Sequence, residues 1–217
     1  MVWCLKMHKN SSFFENYFLK KRIFFVADKN TSLPESILCN PYFRVETIKS
    51  VDDLSLRANV NDLVKHDLMD KFVKRLENPS LTLYLALNKD NSEIAGYFWT
   101  AEANEEPIWH DKIYVEPNSI LGLDAFTLPE YRGKGAFPFL KSVAIKHTVL
   151  ETRSRSLYSI VESSNKASIK ANEKLGLRIA GENYLIKLFG RNIFSIIHRN
   201  GKWEVHFVFR NAKSETL

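Results

Sequence analysis

Between Leu128 and Leu140 the chain reads LPEYRGKGAFPFL, and this stretch constrains the fold more than any other in the 217 residues. An apolar run at helical spacing begins near Ala136, directly after Gly133 and Gly135. Pro138 stands in what would be the first turn, where its missing N–H removes no helical bond. The preceding SILGLDAFT reads as a strand. The stretch therefore predicts a strand, a tight loop of bare backbone, and a helix start. Unpaired amides at a helix start point one way, and the helix dipole favours negative charge there. Arg132 and Lys134 add positive charge, and the two glycines let an anion approach the backbone closely. A plain strand-to-helix turn would use the same glycines, so the loop alone leaves both readings open. It is not GxxxxGK[ST], and it does not follow a first strand as GxGxxG would.

The surrounding pattern supplies the rest of the architecture. FRVETIKS reads as a strand, and Ser50 then opens SVDDLSL with acids in the first turn of a helix. NDLVKHDLMDKFVKRL places Leu63, Leu68, Phe72 and Leu76 at helical spacing. LTLYLALNKDNSEIAGYFWTAEA is two strands around the polar turn 88–92. DKIYVEP and SILGLDAFT form a second extended pair. After the loop, Leu140, Val143, Ala144, His147 and Leu150 mark one helix face. RSLYSIVES reads as a strand. Residues 165–175 read as a helix that Gly176 stops. LRIAGENYLIKLFG, NIFSIIH and WEVHFVF read as strands, the last two joined by Arg199-Asn200-Gly201.

The expected fold class is α/β (mixed α+β): a central, mixed, mostly antiparallel twisted sheet flanked by helices. Residues 43–210 form that domain, and 211–217 a tail. The aromatic-rich residues 1–42, with Phe13, Phe14, Tyr17, Phe18 and RIFFVAD, read as a helix-like segment and one strand. They are expected to be an N-terminal extension packed on the domain.

Hydrophobic residues make up 45% of the chain, which supports a packed core and excludes a disordered class. The net charge of +6 favours anionic partners without choosing among them. Cys4 and Cys39 form no CxxC and no zinc spacing, and read as free thiols in a reducing compartment. The beginning lacks the apolar core of a signal peptide, and no apolar run is long enough to span a bilayer. A cytoplasmic location is expected, with no metal. No RRM, KH or zinc-finger pattern supports nucleic-acid binding.

A second block sharpens the loop. VESSNKASIKANEKLGL, one helix and one strand further on, resembles V-x-x-x-N-x-x-A/S-I/L-x-x-Y-E-K-x-G-F at Val161, Asn165, Ser168, Ile169, Glu173, Lys174 and Gly176. Arg132-Gly133-Lys134-Gly135-Ala136-Phe137 resembles Q/R-x-x-G-x-G/A. In this order, across Phe43 to Phe209, the two blocks resemble the GNAT superfamily of acyl-CoA-dependent N-acetyltransferases.

That resemblance implies acetyl-CoA or a related acyl-CoA as co-substrate and a primary amine as acceptor. By it, Arg132, Gly133, Lys134, Gly135, Ala136 and Phe137 would hold the pyrophosphate of coenzyme A. Ala125, Phe126 and Thr127 would pair with the pantetheine arm, and Asn165 would hydrogen-bond that arm. Two positions depart from the pattern. Phe137 stands where Gly or Ala is usual, so its ring must turn away from the phosphates or cover the adenine side. Asn172 stands where the family has the Tyr that protonates the leaving thiolate, and Asn cannot be a general acid.

The remaining candidate acids and bases are Glu162, Asp124 and Tyr184. Each also has an ordinary structural reading, as a strand-end or core polar group. Glu102, Glu105, Glu106 and Asp111 would form an acidic lip that draws a cationic amine, or simply a solvated loop. His110 is a further base or a structural histidine. Lys166, Lys170 and Lys174 share a helix face, either solvated or facing the 3′-phosphate of coenzyme A. Partners on this reading are a small-molecule or protein amine, with no nucleic acid and no membrane span, and with a homodimer left open. A longer acyl donor, a non-catalytic acyl-CoA sensor and a nucleic-acid binder are the competing functions.

Overall fold

The computed structural model describes residues 19–103, 108–110, 113–151, 155–188, 191–199 and 201–207. The expected helix-like segment around Phe13 to Phe18 and the tail 211–217 lie outside them. The chain runs β1 (Leu19–Ala27), α1 (Glu35–Leu38), β2 (Phe43–Ile48), α2 (Val51–Arg57), α3 (Val60–Lys65), α4 (Met69–Leu76), β3 (Leu81–Asn88) and β4 (Ile94–Ala103). It continues through β5 (Ile108–His110), β6 (Ile113–Val115), β7 (Ser119–Thr127), α5 (Ala136–Ile145), β8 (Leu157–Glu162) and α6 (Lys166–Lys174). Three strands end it: β9 (Arg178–Leu188), β10 (Arg191–Arg199) and β11 (Lys202–Phe207).

Nine strands form one sheet in the order β11-β10-β9-β1-β8-β7-β4-β3-β2, and β5 and β6 form a separate ribbon. The sheet is mixed and mostly antiparallel, as the sequence predicts. Among the described residues its one parallel pair is β7 with β8. Residues 19–27 were expected in an extension packed on the domain; they form an interior strand of its sheet, between β8 and β9. Phe24, Phe25, Val26 and Ala27 are all buried, as a strand covered on both faces requires.

Two helices were expected between the first strand of the domain and the hairpin, and three short ones form. Ser50 caps α2 by accepting from the Asp53 amide at 3.1 Å. The backbone turns extended at Ala58, and Asn59 then caps α3 through the Asn61 amide. Asp67, in the left-handed region at φ 55°, separates α3 from α4. The extended break at Ala58, the Asn59 cap and the left-handed Asp67 explain why the helix is not sustained.

β3 and β4 are buried on both faces because helices cover both. Phe72 of α4 meets the rings of Tyr97 and Trp99 edge-on, at 5.1 and 5.5 Å between centroids. On the opposite face Phe137 of α5 meets Phe98 at 6.2 Å. α5 passes without a break into one π turn at Lys146–Leu150. That wider turn rotates the face by about one residue. Val149 is therefore buried after Leu140 and Ala144, while His147, expected on the face, is exposed. α6 ends as predicted, with Gly176 at φ 72°. Among the described residues no helix is long and apolar enough to cross a membrane.

Candidate functional site: a groove where two parallel strands part

The site begins with a pairing that stops. β7 and β8 are in register only over Ile120–Leu157, Leu121–Tyr158 and Gly122–Ser159. Beyond Gly122, β7 stays with β4, pairing Ala125, Phe126 and Thr127 to Phe98, Tyr97 and Gly96. Beyond Ser159, β8 stays with β1 as far as Glu162. The two strands diverge, and among the described residues none pairs with β7 on its β8 side past Gly122. This edge offers backbone donors and acceptors to an extended ligand.

A groove of about 660 Å³ lies along that edge. Its walls are Ala125 to Thr127 of β7, the loop with Gly133, Gly135 and Ala136, and α6 from Asn165 to Lys174. Gly133 and Gly135 take φ 78° and 80°, a conformation that favours glycine. A Cβ on Gly133 would meet nothing within 4 Å, so the loop faces open space there. The loop and the start of α5 thus border the groove, where a helix leaves its first amides without intrahelical partners, and Pro138 in the first turn removes none that the helix needs.

Several predicted binding residues line this groove together: Ala125, Phe126, Thr127, Arg132, Gly133, Gly135, Ala136, Phe137 and Asn165. Lys134 sits in the same loop with its ammonium 5.3 Å from the Tyr131 ring centre. Arg132 donates to the Thr127 carbonyl at 3.2 Å and lies over the Phe126 ring. The Asn165 side-chain oxygen accepts from the Ser168 amide at 3.0 Å and so caps α6. That oxygen is spent on the helix; the amide nitrogen is the end suited to a ligand. Of the lysine row, Lys170 and Lys174 reach the groove wall. The Phe137 ring packs edge-on against Phe98 while it lines the groove.

One support was invisible in the sequence. Asn40 donates to the Lys134 carbonyl at 3.4 Å and accepts from the Tyr42 and Phe43 amides. A residue 94 positions upstream therefore braces the loop. No local pattern could have signalled it.

None of Glu162, Asp124 and Tyr184 lines the groove. Asp124 accepts from Lys71 at 2.5 Å and Arg75 at 3.1 Å, tying β7 to α4. Burial lowers the Lys71 pKa, but its bonds to Asp124 and Tyr97 outweigh this and leave it raised. Asp124 is thus an anchor held by two cations. The three side chains are 37%, 21% and 32% exposed, so solvent screens the pairs. Replacing Asp124 with Ala should cost no more than about 1 kcal/mol in urea unfolding. A loss several times larger would mean that the anchor carries part of the fold.

Tyr184 lies on β9, with β1 between it and β8. Its hydroxyl donates to Glu182 at 2.5 Å, and that bond raises its pKa. It is engaged in a cluster with Lys21 and Trp203 rather than with the groove. Glu162 is exposed at the end of β8, where its carbonyl accepts from the Asn165 amide. Of the expected acidic lip, Glu102 pairs with Arg155 at 2.6 Å. Glu105, Glu106 and Asp111 lie outside the described residues, as does the His110 side chain.

The largest omission of the sequence reading is Lys141. It projects from α5 into the interior and is 1% exposed. Its ammonium nitrogen donates to Ser159 Oγ at 2.6 Å and to Asn172 Oδ1 by a short bond. Asn172, 0% exposed, donates in turn to the Ser168 carbonyl at 2.7 Å. The Phe98 and Phe137 rings lie 6.0 and 5.9 Å from the nitrogen. Burial pushes the Lys141 pKa down from 10.5 to about 7. Asn172, the departure from the family pattern, is therefore the clamp on a buried lysine.

Solved structures of similar shape bear on the fold. The GCN5-related glucosamine N-acetyltransferase region of a fungal multi-domain GH3 β-N-acetylglucosaminidase matches with TM-score 0.53 at 14% identity, over 81% of this chain and 22% of that one. An acetyltransferase of the GNAT family from Colwellia psychrerythraea matches with TM-score 0.49 at 14% identity, over 78% and 56%. A tandem GNAT protein from the clavulanic acid biosynthesis pathway matches with TM-score 0.46 at 16% identity, over 74% and 50%. The chain thus spans about half the length of the latter two and about a fifth of the fungal one. No family model and no curated protein matches the sequence. The chain has the GNAT fold, as its two sequence blocks imply.

Proposed function

We propose that the protein is an N-acetyltransferase that takes the acetyl group of acetyl-CoA and passes it to a primary amine. The observation that carries this reading is the β7 edge left without a strand partner beyond Gly122, ending at a glycine loop and a helix start that line the same groove. An extended arm with a pyrophosphate at one end fits that shape. The amides of Gly133 to Phe137 would hold the pyrophosphate, and the Ala125 to Thr127 backbone would pair with the pantetheine arm. Lys170 and Lys174 supply positive charge along the α6 wall. Acetyl-CoA brings an activated thioester, so much of the rate can come from holding the amine against its carbonyl. A lysine-like amine must first lose a proton, since its pKa is about 10.4.

The test is calorimetric titration of coenzyme A into the wild type and Gly135→Asp. At φ 80° a side chain is strained, and its Cβ would sit 3.3 Å from the Asn40 amide nitrogen. The added carboxylate would also occupy the amides meant for phosphate. We expect Kd to rise about 100-fold or more, with circular dichroism unchanged. Equal affinity in the two proteins would remove the loop assignment. Thiol release from acetyl-CoA over a panel of amines then separates a catalyst from a non-catalytic acyl-CoA sensor. Repeating it with longer acyl donors sets the donor class.

A further inference from the structure

The proposed reaction needs a proton for the departing sulfur, and the usual tyrosine position holds Asn172. Lys141 sits where such a proton is needed. The divergence of β7 and β8 has its apex at Gly122 and Ser159, and the Lys141 nitrogen is bonded to Ser159 Oγ at that apex. The groove runs from the loop along Thr127 to Ala125, toward the same point. Gly122 leaves no room there for a side chain, since a Cβ would lie 2.8 Å from the Phe98 ring and 3.0 Å from Ser159 Oγ. The apex itself is therefore filled, and the atom that an acyl-CoA lying along β7 would bring toward it is its sulfur. Phe137, Ser168 and Ala171 line the groove, and directly behind them stand Lys141 and its clamp Asn172.

The geometry points to Lys141 as the acid that protonates the leaving sulfur, with Ser159 and Asn172 as its positioning residues. This rests on the acyl-CoA reading above. In the step, the nitrogen of a neutral amine bonds to the carbonyl carbon. The C–S bond breaks with its electron pair on sulfur. The Lys141 ammonium gives its proton to that sulfur and becomes the free amine. The proton shed by the acylated nitrogen restores the ammonium, so no outside acid is consumed.

The surroundings suit this work. The groups facing the nitrogen are Phe137 on α5, Phe98 on β4, Ser159 on β8 and Asn172 on α6, with Gly122 at the apex. Among the described residues no carboxylate pairs with it, and burial alone lowers its pKa to about 7. A group poised there is part charged at neutral pH and gives its proton readily. A lysine kept only for stability would gain from a carboxylate partner or from replacement by an apolar side chain.

Two measurements on the full chain test it. The first needs no acceptor: the thiol of bound coenzyme A is titrated by its thiolate absorbance in wild type and Lys141→Met. A thiol beside the ammonium should ionise at least one pH unit below the thiol in the variant, whose value should return toward about 8.5. The second is kcat for whichever amine the wild type acetylates. Lys141→Met should lower it about 10²- to 10⁴-fold with coenzyme A affinity unchanged. Asn172→Asp, which adds a charge beside the nitrogen, should move the alkaline limb of kcat upward in pH. Wild type that binds no coenzyme A overturns the proposed function. Wild type that binds it, with the same thiol ionisation in Lys141→Met, overturns the role of Lys141 and leaves the proposed function standing.

Discussion

Lys141→Met should be more stable than the wild type at pH 6 and less stable at pH 10. Folding places the Lys141 nitrogen in an apolar interior, where its pKa falls from 10.5 to about 7. Between those values the unfolded chain holds a proton that the folded chain lacks. Stability therefore rises with pH across this window. Above 10.5 both states are neutral and the residue costs nothing. As pH falls toward 7 the cost grows by about 1.4 kcal/mol per unit, and below 7 it levels off. Methionine never pays it. It does leave Asn172 Oδ1 and Ser159 Oγ without their donor, a loss of about 1–3 kcal/mol at every pH. The difference between the two proteins should shift by about 4 kcal/mol from pH 6 to pH 10 and change sign on the way. Urea unfolding of both proteins across that range measures it. Other lysines titrate alike in the two chains and drop out of the comparison. A difference independent of pH would show that Lys141 keeps its charge when folded.

Phe72→Ala should lose about 3–5 kcal/mol, the usual range for emptying a buried phenylalanine site. Phe72 is fully buried and packs α4 on the sheet, edge-on to both Tyr97 and Trp99. Neighbouring side chains cannot close the hole easily. Tyr97 is held by stacking on Phe126, and the Arg75 guanidinium lies over the Trp99 ring at 5.4 Å. The effect should reach the groove as well. α4 carries Lys71 and Arg75, whose grip on Asp124 fixes the strand segment next to Ala125. Urea unfolding gives the stability, and coenzyme A titration gives the knock-on effect. A loss below about 1 kcal/mol would contradict the packing described for α4.

The elements were legible where their signals are local. Ser50 and its following acids announced α2, the polar turn 88–92 announced the hairpin, and Gly176 announced the end of α6. The glycine loop was legible because glycine spacing and helix start fall within one short stretch. What stayed hidden is set by distant residues. RIFFVAD reads as a strand, but nothing in it names β8 and β9 as neighbours. Asn40 beneath Lys134 was hidden for the same reason. Lys141 was missed because one apolar face was assigned to α5, through Leu140 and Ala144. The helix in fact buries Lys141 and Ile145 on a second side, toward β8 and the end of α6, with Phe137 half-buried one turn before them. The weak signal was there: a lysine four residues from an apolar neighbour on either side, in a helix with few polar positions. Glu162, Asp124 and Tyr184 drew attention because carboxylates and tyrosine look like acids and bases on paper, yet Asp124 is bonded to Lys71 and Arg75, Tyr184 to Glu182, and Glu162 stands exposed at a strand end.

The place of β1 has a consequence for how this chain reaches its native state. As synthesis proceeds, the earliest of the described strands must wait. Its partners are residues 157–162 and 178–186, more than a hundred positions later. Until they emerge, Phe24, Phe25 and Val26 have no sheet to enter. Closing so long a loop is slow, and an unpaired apolar strand invites association with other chains in the meantime. The part of the sheet from β2 to β4 has no such delay, since its pairings are sequential. Refolding should therefore proceed in two stages, with the β8 side of the groove the last wall to be built.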